Sequence, residues 1–189
     1  MREERTLPEI LFRKATPADF EGILRLQHQN LLATLQGEDL SQGFLSIEFT
    51  REQLHKVNSE LGIFVAVQGK VVVGYLMAET AEFAIGSPLI SHMLKRLKHV
   101  VFDDITLSCG FFVYGPVCID RPSRGQGILD GLFRFMEETL RAEYDVGIAF
   151  VSLRNPRSLR AHTAKLGMRV IDDFEFGGER YNTLAFGLK

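Results

Sequence analysis

Cysteine, excess positive charge and long apolar runs are all scarce in these 189 residues. The two cysteines, Cys109 and Cys118, cannot build a disulfide framework, and no CxxC pair or Cys/His cluster points to zinc or another metal. Lysine and arginine total 22 against 24 aspartate and glutamate, so the basic footprint of a nucleic-acid binder is missing. No apolar segment is long enough to span a bilayer, and the opening MREERTLPEI is charged with no apolar run behind it, unlike a secretory leader. Repeats, low-complexity tracts and dividing linkers are absent too. What these exclusions leave is a soluble, cytoplasmic, single-domain protein without nucleic-acid or membrane partners, and its 46% hydrophobic residues suffice for a sizeable core.

What is present is organised around residues Phe111 to Tyr144. Phe111 to Ile119 is an apolar run of strand composition, expected to be buried on both faces. Asp120 to Ser123 make a turn, and Arg124-Gly125-Gln126-Gly127 leads straight into a helix with Ile128, Leu132, Met136 and Leu140 on one face. Strand, glycine-rich turn and helix together make an anion-binding construction. The first helical N–H groups lack partners, and glycine lets a phosphate oxygen come close to them. The P-loop pattern is excluded because Ile128 and Leu129 follow Gly127, and Asp130 breaks GxGxxG.

Around this unit, residues 1–9 read as a loose charged tail and Ile10 to Lys14 as a first strand. Thr16-Pro17 and the box Thr50-Arg51-Glu52-Gln53 start two helices. Phe20, Ile23, Leu24 and Leu31 fall on one face of the first of these. Residues 37 to 49 read as an aperiodic loop. Gly62 to Val67 and Val71 to Glu79 form a hairpin, with Gly74 marking a bulge or a close neighbour. Ser87-Pro88 opens a helix with a stripe of Leu89, Ile90, Met93, Leu94 and Leu97. Val146 to Leu153 is a central strand, Asn155-Pro156 starts a short helix ending at Gly167, and Met168 to Leu188 is a last hairpin. The order predicts an α/β fold: one mixed β-sheet, partly antiparallel and partly parallel, flanked by helices.

Arg124, Gly127 and the strand before them match the (Gln or Arg)-x-x-Gly-x-(Gly or Ala) turn of the GNAT superfamily of acyl-CoA-dependent N-acyltransferases, with Leu129 in place of the last small residue. A second segment resembles the same family. It has Asn155, the small residue Ser158 three on, His162 where relatives commonly carry Tyr, and Leu166-Gly167 closed by Met168 in place of an aromatic residue. Asn155 and Gly167 also serve as ordinary helix caps. The element order is similar to the GNAT order from Ile10 to Leu188, with the helix at Ser87 as an addition.

The resemblance implies a single domain over residues 10–189, with splayed parallel strands forming an acyl-CoA cleft. It assigns acetyl-CoA as cosubstrate, its pyrophosphate to Arg124, Gly125, Gln126, Gly127, Ile128 and Leu129. The pantetheine arm goes to the backbone of Val117, Cys118 and Ile119, with Asn155 and Ser158 facing across. The acceptor is a primary amine of a small molecule or peptide, bound by residues 37 to 49 and the Ser87 helix. Its proton needs a base, for which Glu79, Glu82, Asp103, Asp104 and Tyr114 are candidates, each carboxylate otherwise being a solvated surface charge. His162 stands where relatives place the group that protonates the leaving thiolate, or is a helix histidine satisfied by packing. Cys118 reads as a small apolar strand residue. A domain that binds acyl-CoA without turnover is the rival expectation, and a homodimer stays open as an assembly.

Overall fold

The protein is described by a computed structural model covering residues 9–35 and 43–188. The elements in chain order are β1 (Ile10–Lys14), α1 (Phe20–Asn30), α2 (Arg51–Ser59), β2 (Gly62–Gln68), β3 (Val71–Glu79), α3 (Ala81–Ala84), α4 (Pro88–Leu97), β4 (Val101–Phe102), β5 (Ile105–Thr106), β6 (Phe111–Ile119), α5 (Ile128–Leu140), β7 (Val146–Ser152), α6 (Pro156–Arg160), β8 (Arg169–Phe176) and β9 (Glu179–Gly187). The residues expected to start helices do so. Thr50 Oγ1 accepts from the Gln53 amide while the Gln53 side chain accepts from the Thr50 amide, and Pro17 and Pro88 open the segments that follow Thr16 and Ser87. Among the described residues no helix is long and apolar enough to cross a membrane.

Seven strands form one sheet in the order β1-β2-β3-β6-β7-β9-β8, and only β6 and β7 run parallel. Along β2, Ile63 and Val65 enter a core beneath α1 and α2, while Phe64 and Ala66 enter a second core beneath α5. Strand alternation therefore builds two layers of packing on one sheet. The four residues expected on one face of α5 (Ile128, Leu132, Met136, Leu140) are buried, and so is Phe133 beside them. At about 1.5–3 kcal/mol per fully buried large apolar side chain, they hold the helix and the glycine turn before it against β1, β2 and β3. Ile90, Met93 and Leu97 of α4 seal a third cluster over Val113 and Ile148.

Gly74 meets both expectations made of it. The β2–β3 register shifts beside it, and a Cβ built there would stand 3.0 Å from Ile128 Cγ2. Other details differ from the sequence reading. Leu31 caps α1 instead of continuing its face, and it bridges to Leu45 because the helix hands over to the loop there. The strand expected to be buried on both faces is so only over Phe111–Tyr114, because the sheet opens beyond that point. Residues 81 to 84 and the β4–β5 ribbon form small elements too short for a periodic signal. The helix after Asn155 widens into a π turn over Ala161–Lys165. The tail expected over residues 1–9 lies, apart from Glu9, outside the described residues, as do residues 36–42 of the expected loop.

Candidate active site

The site begins where two strands part. β6 and β7 pair only through Phe111, Phe112 and Val113 with Val146, Gly147 and Ile148. On the other edge of β6, Leu76 faces Val117 while Ala78 faces Tyr114, so Gly115 and Pro116 together oppose Met77. This bulge bends β6 away from β7, and Pro116 has no N–H to offer a ladder. Backbone groups of β6 beyond the bulge are thereby released from β7.

The released edge borders a cleft of about 670 Å³, with Val117, Cys118 and Ile119 on one wall and Asn155, Ser158 and His162 on the other. Its far end is the glycine turn. Gly125 and Gly127 have φ of +83° and +76°, and a Cβ on either would meet no atom within 4 Å. Gly127 is the N-cap of the 13-residue α5, so the orphan N–H groups of the first turn stand at the cleft wall. The Arg124 side chain staples the turn in place: Nε donates to the Ile119 carbonyl at 3.1 Å and Nη2 to Asn30 Oδ1 at 3.0 Å. Arg157, Arg160 and Lys165 also border this cleft, and Asp130 is its one acidic side chain among the described residues. Gln126 is not part of the lining; its amide is exposed and donates to the Pro122 carbonyl.

A second, smaller cavity of about 100 Å³ lies on the other side of the junction and shares Val117, Asn155, Ser158 and His162 with the first. Glu79, at the end of β3, lines it and is 3% exposed; burial, reinforced by the nearby charge of Glu60, pushes its pKa up to about 8. The Tyr114 hydroxyl is buried without a hydrogen-bond partner among the described residues, and burial raises its pKa. The other base candidates are not here. Glu82 is exposed on α3, and Asp103 and Asp104 are exposed in the β4–β5 turn, where Asp103 pairs with Arg169. Short elements after β3 and α4 carry those side chains out to solvent.

His162 sits at the junction, 4% exposed, with its ring edge-on to Tyr114 at 5.5 Å between centroids. Its Nδ1 lies 2.7 Å from the Ser158 carbonyl oxygen. A carbonyl only accepts, so Nδ1 carries the hydrogen and Nε2 keeps its lone pair in the neutral ring. Burial lowers the His162 pKa, opposed by that hydrogen bond, and the neutral form dominates near pH 7. Cys118 contributes backbone alone: its thiol packs in the α1–α2 core 3.8 Å from the Leu26 carbonyl, and burial raises its pKa to about 12.

Residues 37 to 49 and the Ser87 helix, expected around the acceptor, supply Phe44, Leu45, Ser46, Ile47 and Ile90 to the smaller cavity. Sequence reasoning did not find the bonds that hold this loop as a roof over both cavities. The Asn155 amide donates to the Phe44 carbonyl at 3.0 Å while its Oδ1 caps α6, and the Leu45 amide donates to the Asn30 carbonyl at 2.8 Å. Phe44 and Leu45 border both cavities, and Asn30 borders the larger. Nothing in the aperiodic loop or in a polar residue ending α1 signals this; only the fold brings the three together.

No family model matches the chain, and no curated protein matches it. Solved structures do. It is similar to an acetyltransferase of the GNAT family from Streptococcus pneumoniae, with TM-score 0.63 and 14% identity, covering 96% of this chain and 100% of the other. The yncA protein of Salmonella typhimurium, solved with its cofactor acetyl-CoA, matches at TM-score 0.62 and 17% identity over 95% and 94% of the two chains. A ribosomal-protein-alanine N-acetyltransferase from Brucella melitensis matches at TM-score 0.61 and 20% identity over 94% and 99%. The chain has the fold of the GNAT N-acetyltransferases.

Proposed function

We propose that this protein is an N-acetyltransferase that moves acetyl from acetyl-CoA to a primary amine of a small molecule or peptide, by direct attack in a ternary complex. The observation that carries this reading is the pair of cavities meeting at the parted strands, with cations around the larger and a buried acid in the smaller. The larger cleft fits acetyl-CoA in chemistry as well as size. It has a released strand edge for the amide-bearing pantetheine arm, left-handed glycines before a helix N-terminus for the pyrophosphate, and arginines and a lysine for further phosphate charge. The yncA relative carries acetyl-CoA, which supports the same cosubstrate here.

In this reading Glu79 accepts the proton that the acceptor ammonium must lose before its nitrogen can attack. A carboxyl with a pKa near 8 is matched to that task. The amine nitrogen bonds to the thioester carbon and the C–S bond then breaks. His162, neutral with a bare Nε2 at the junction, takes the proton from the newly bonded nitrogen and returns it to the departing sulfur. Tyr114 borders the smaller cavity, but its hydroxyl is buried in the core beside Phe133 and Phe186 and takes no step in this reading. Neither a metal nor an acyl-enzyme is called for, and the buried Cys118 thiol has no role as a nucleophile. The test is acceptor-dependent release of CoA thiol, with the acetylated product identified by mass, across amines, polyamines and peptides. Tight acetyl-CoA binding with no acceptor-dependent release across that panel would instead describe a domain that binds without turnover.

A further inference from the structure

The two cavities differ in the charged side chains around them, and the smaller one constrains the acceptor. Among the described residues the larger cleft is bordered by Arg124, Arg157, Arg160 and Lys165 against one acid, Asp130. The smaller is bordered by Glu79 and, among the described residues, by no lysine or arginine at all. Residues 36–42, outside the described residues, read QGEDLSQ in sequence and contain no basic residue. A second acid, Glu60, acts on Glu79 and accepts a hydrogen bond from Thr80. Lys56 of α2 lies over the Phe83 ring at 5.0 Å and is not in the cavity lining.

Size adds a second limit. About 100 Å³ is well below the roughly 300–1,000 Å³ that encloses a drug-sized ligand. The amine and the few atoms next to it therefore fill the space between Glu79, Ile90 and Phe150, and any carboxylate on the amine-bearing carbon would be enclosed with them. That carboxylate would lose its water with no lysine or arginine in the lining, among the described residues, to pair with. It would also face Glu79, whose ionised form the arriving ammonium favours.

Resting on the acetyltransferase reading, we infer that the acceptor is a primary amine whose attached carbon bears no free carboxylate: an alkylamine, or an aminoacyl N-terminus whose carboxyl is tied up in an amide. Free α-amino acids are excluded by charge.

The test compares alanine, alaninamide and ethylamine, and leucine, leucinamide and isopentylamine, as acceptors for the intact protein. Because the amides are the weaker bases, kcat/KM is expressed per neutral amine. The alkylamines and amides are expected to exceed the amino acids by about 100-fold or more, the scale of a buried unpaired charge. Preference for the amides over the alkylamines identifies an aminoacyl acceptor, and the reverse a simple amine. Ser46→Arg, at an exposed position on the cavity rim, supplies the missing cation and is expected to narrow the amide-to-acid ratio at least about tenfold. Amino acids used as well as their amides, or a ratio that Ser46→Arg leaves unchanged, would overturn the inference. Calorimetry on the CoA-loaded protein separates this from the underlying reading. Binding of amides but not amino acids, with no thiol release, would end the transferase reading and leave the charge selection standing. Equal binding, or binding of neither, would end the selection.

Discussion

The Nδ1 of His162 lies 2.7 Å from the carbonyl oxygen of Ser158, one helical turn earlier. That bond fixes the tautomer and leaves Nε2 as an acceptor, so the buried imidazole works as a relay that must gain a proton before it can give one. His162→Ala is expected to lower kcat by roughly ten- to a thousandfold with little change in acetyl-CoA affinity. Thermal stability and kcat measured on the same preparations decide the matter. A loss of stability with undiminished turnover per folded molecule would make His162 a packing residue.

Glu79 gives a prediction with a sign in pH. Its pKa is raised from 4.5 to about 8 in the folded chain, so the native state holds that proton more tightly than the unfolded state does. Its contribution to stability is present below about 4.5 and is lost as pH rises through about 8. Glu79→Gln carries no such penalty. Denaturant titrations are expected to show the variant gaining on the native protein by at least about 1 kcal/mol between acid and pH of about 9. Its kcat/KM is expected to fall about a hundredfold or more, and the rise of rate through pH of about 8 to disappear. A variant with the native pH–rate profile would remove Glu79 from proton transfer.

Gly127 tests the cosubstrate cleft. A Cβ there meets no protein atom within 4 Å, so a side chain starts in the open space in front of the α5 N-terminus. The left-handed φ of +76° adds roughly 1–2 kcal/mol of strain for any other residue. Gly127→Glu, which also brings a negative charge to the turn, is expected to abolish acetyl-CoA binding in calorimetry while the protein stays folded by circular dichroism. Unchanged affinity would place the cosubstrate elsewhere.

Away from the site, Asp19 ties β1 to the start of α1. Its carboxylate takes two hydrogen bonds from Arg13, at 2.7 and 2.8 Å, and one each from the Thr16 amide and hydroxyl. The Arg13 bonds foremost, against the cost of burial, lower its pKa to about 2. A depressed carboxylate stabilises above its unfolded value of 3.8 and stops doing so as pH falls through about 2. Asp19→Asn is expected to cost on the order of 1–2 kcal/mol near neutrality and little near pH of about 2, read from denaturant midpoints. An equal cost at both pH values would show that shape, not charge, holds this corner.

The sequence by itself determined the local elements. Caps at Thr50 and Asn155, the prolines at 17, 88 and 156, and apolar spacing on α5 are short-range signals, and each produced its helix. The glycine turn was legible for the same reason, since Gly125 and Gly127 adopt backbone that other residues avoid. Tertiary structure decided which polar residues share a cavity. Glu79, Glu82, Asp103 and Asp104 were equivalent as text; the sheet buries the first beside the parted strands and sends the others to the surface. The roof is likewise a product of long-range pairing, because Asn155 reaches a carbonyl 111 residues earlier in the chain and Asn30 anchors the next residue's amide. Burial also set the protonation states, raising Glu79 and lowering His162. Desolvation depends on what the rest of the chain packs around a group, and no residue carries that information in its own neighbourhood.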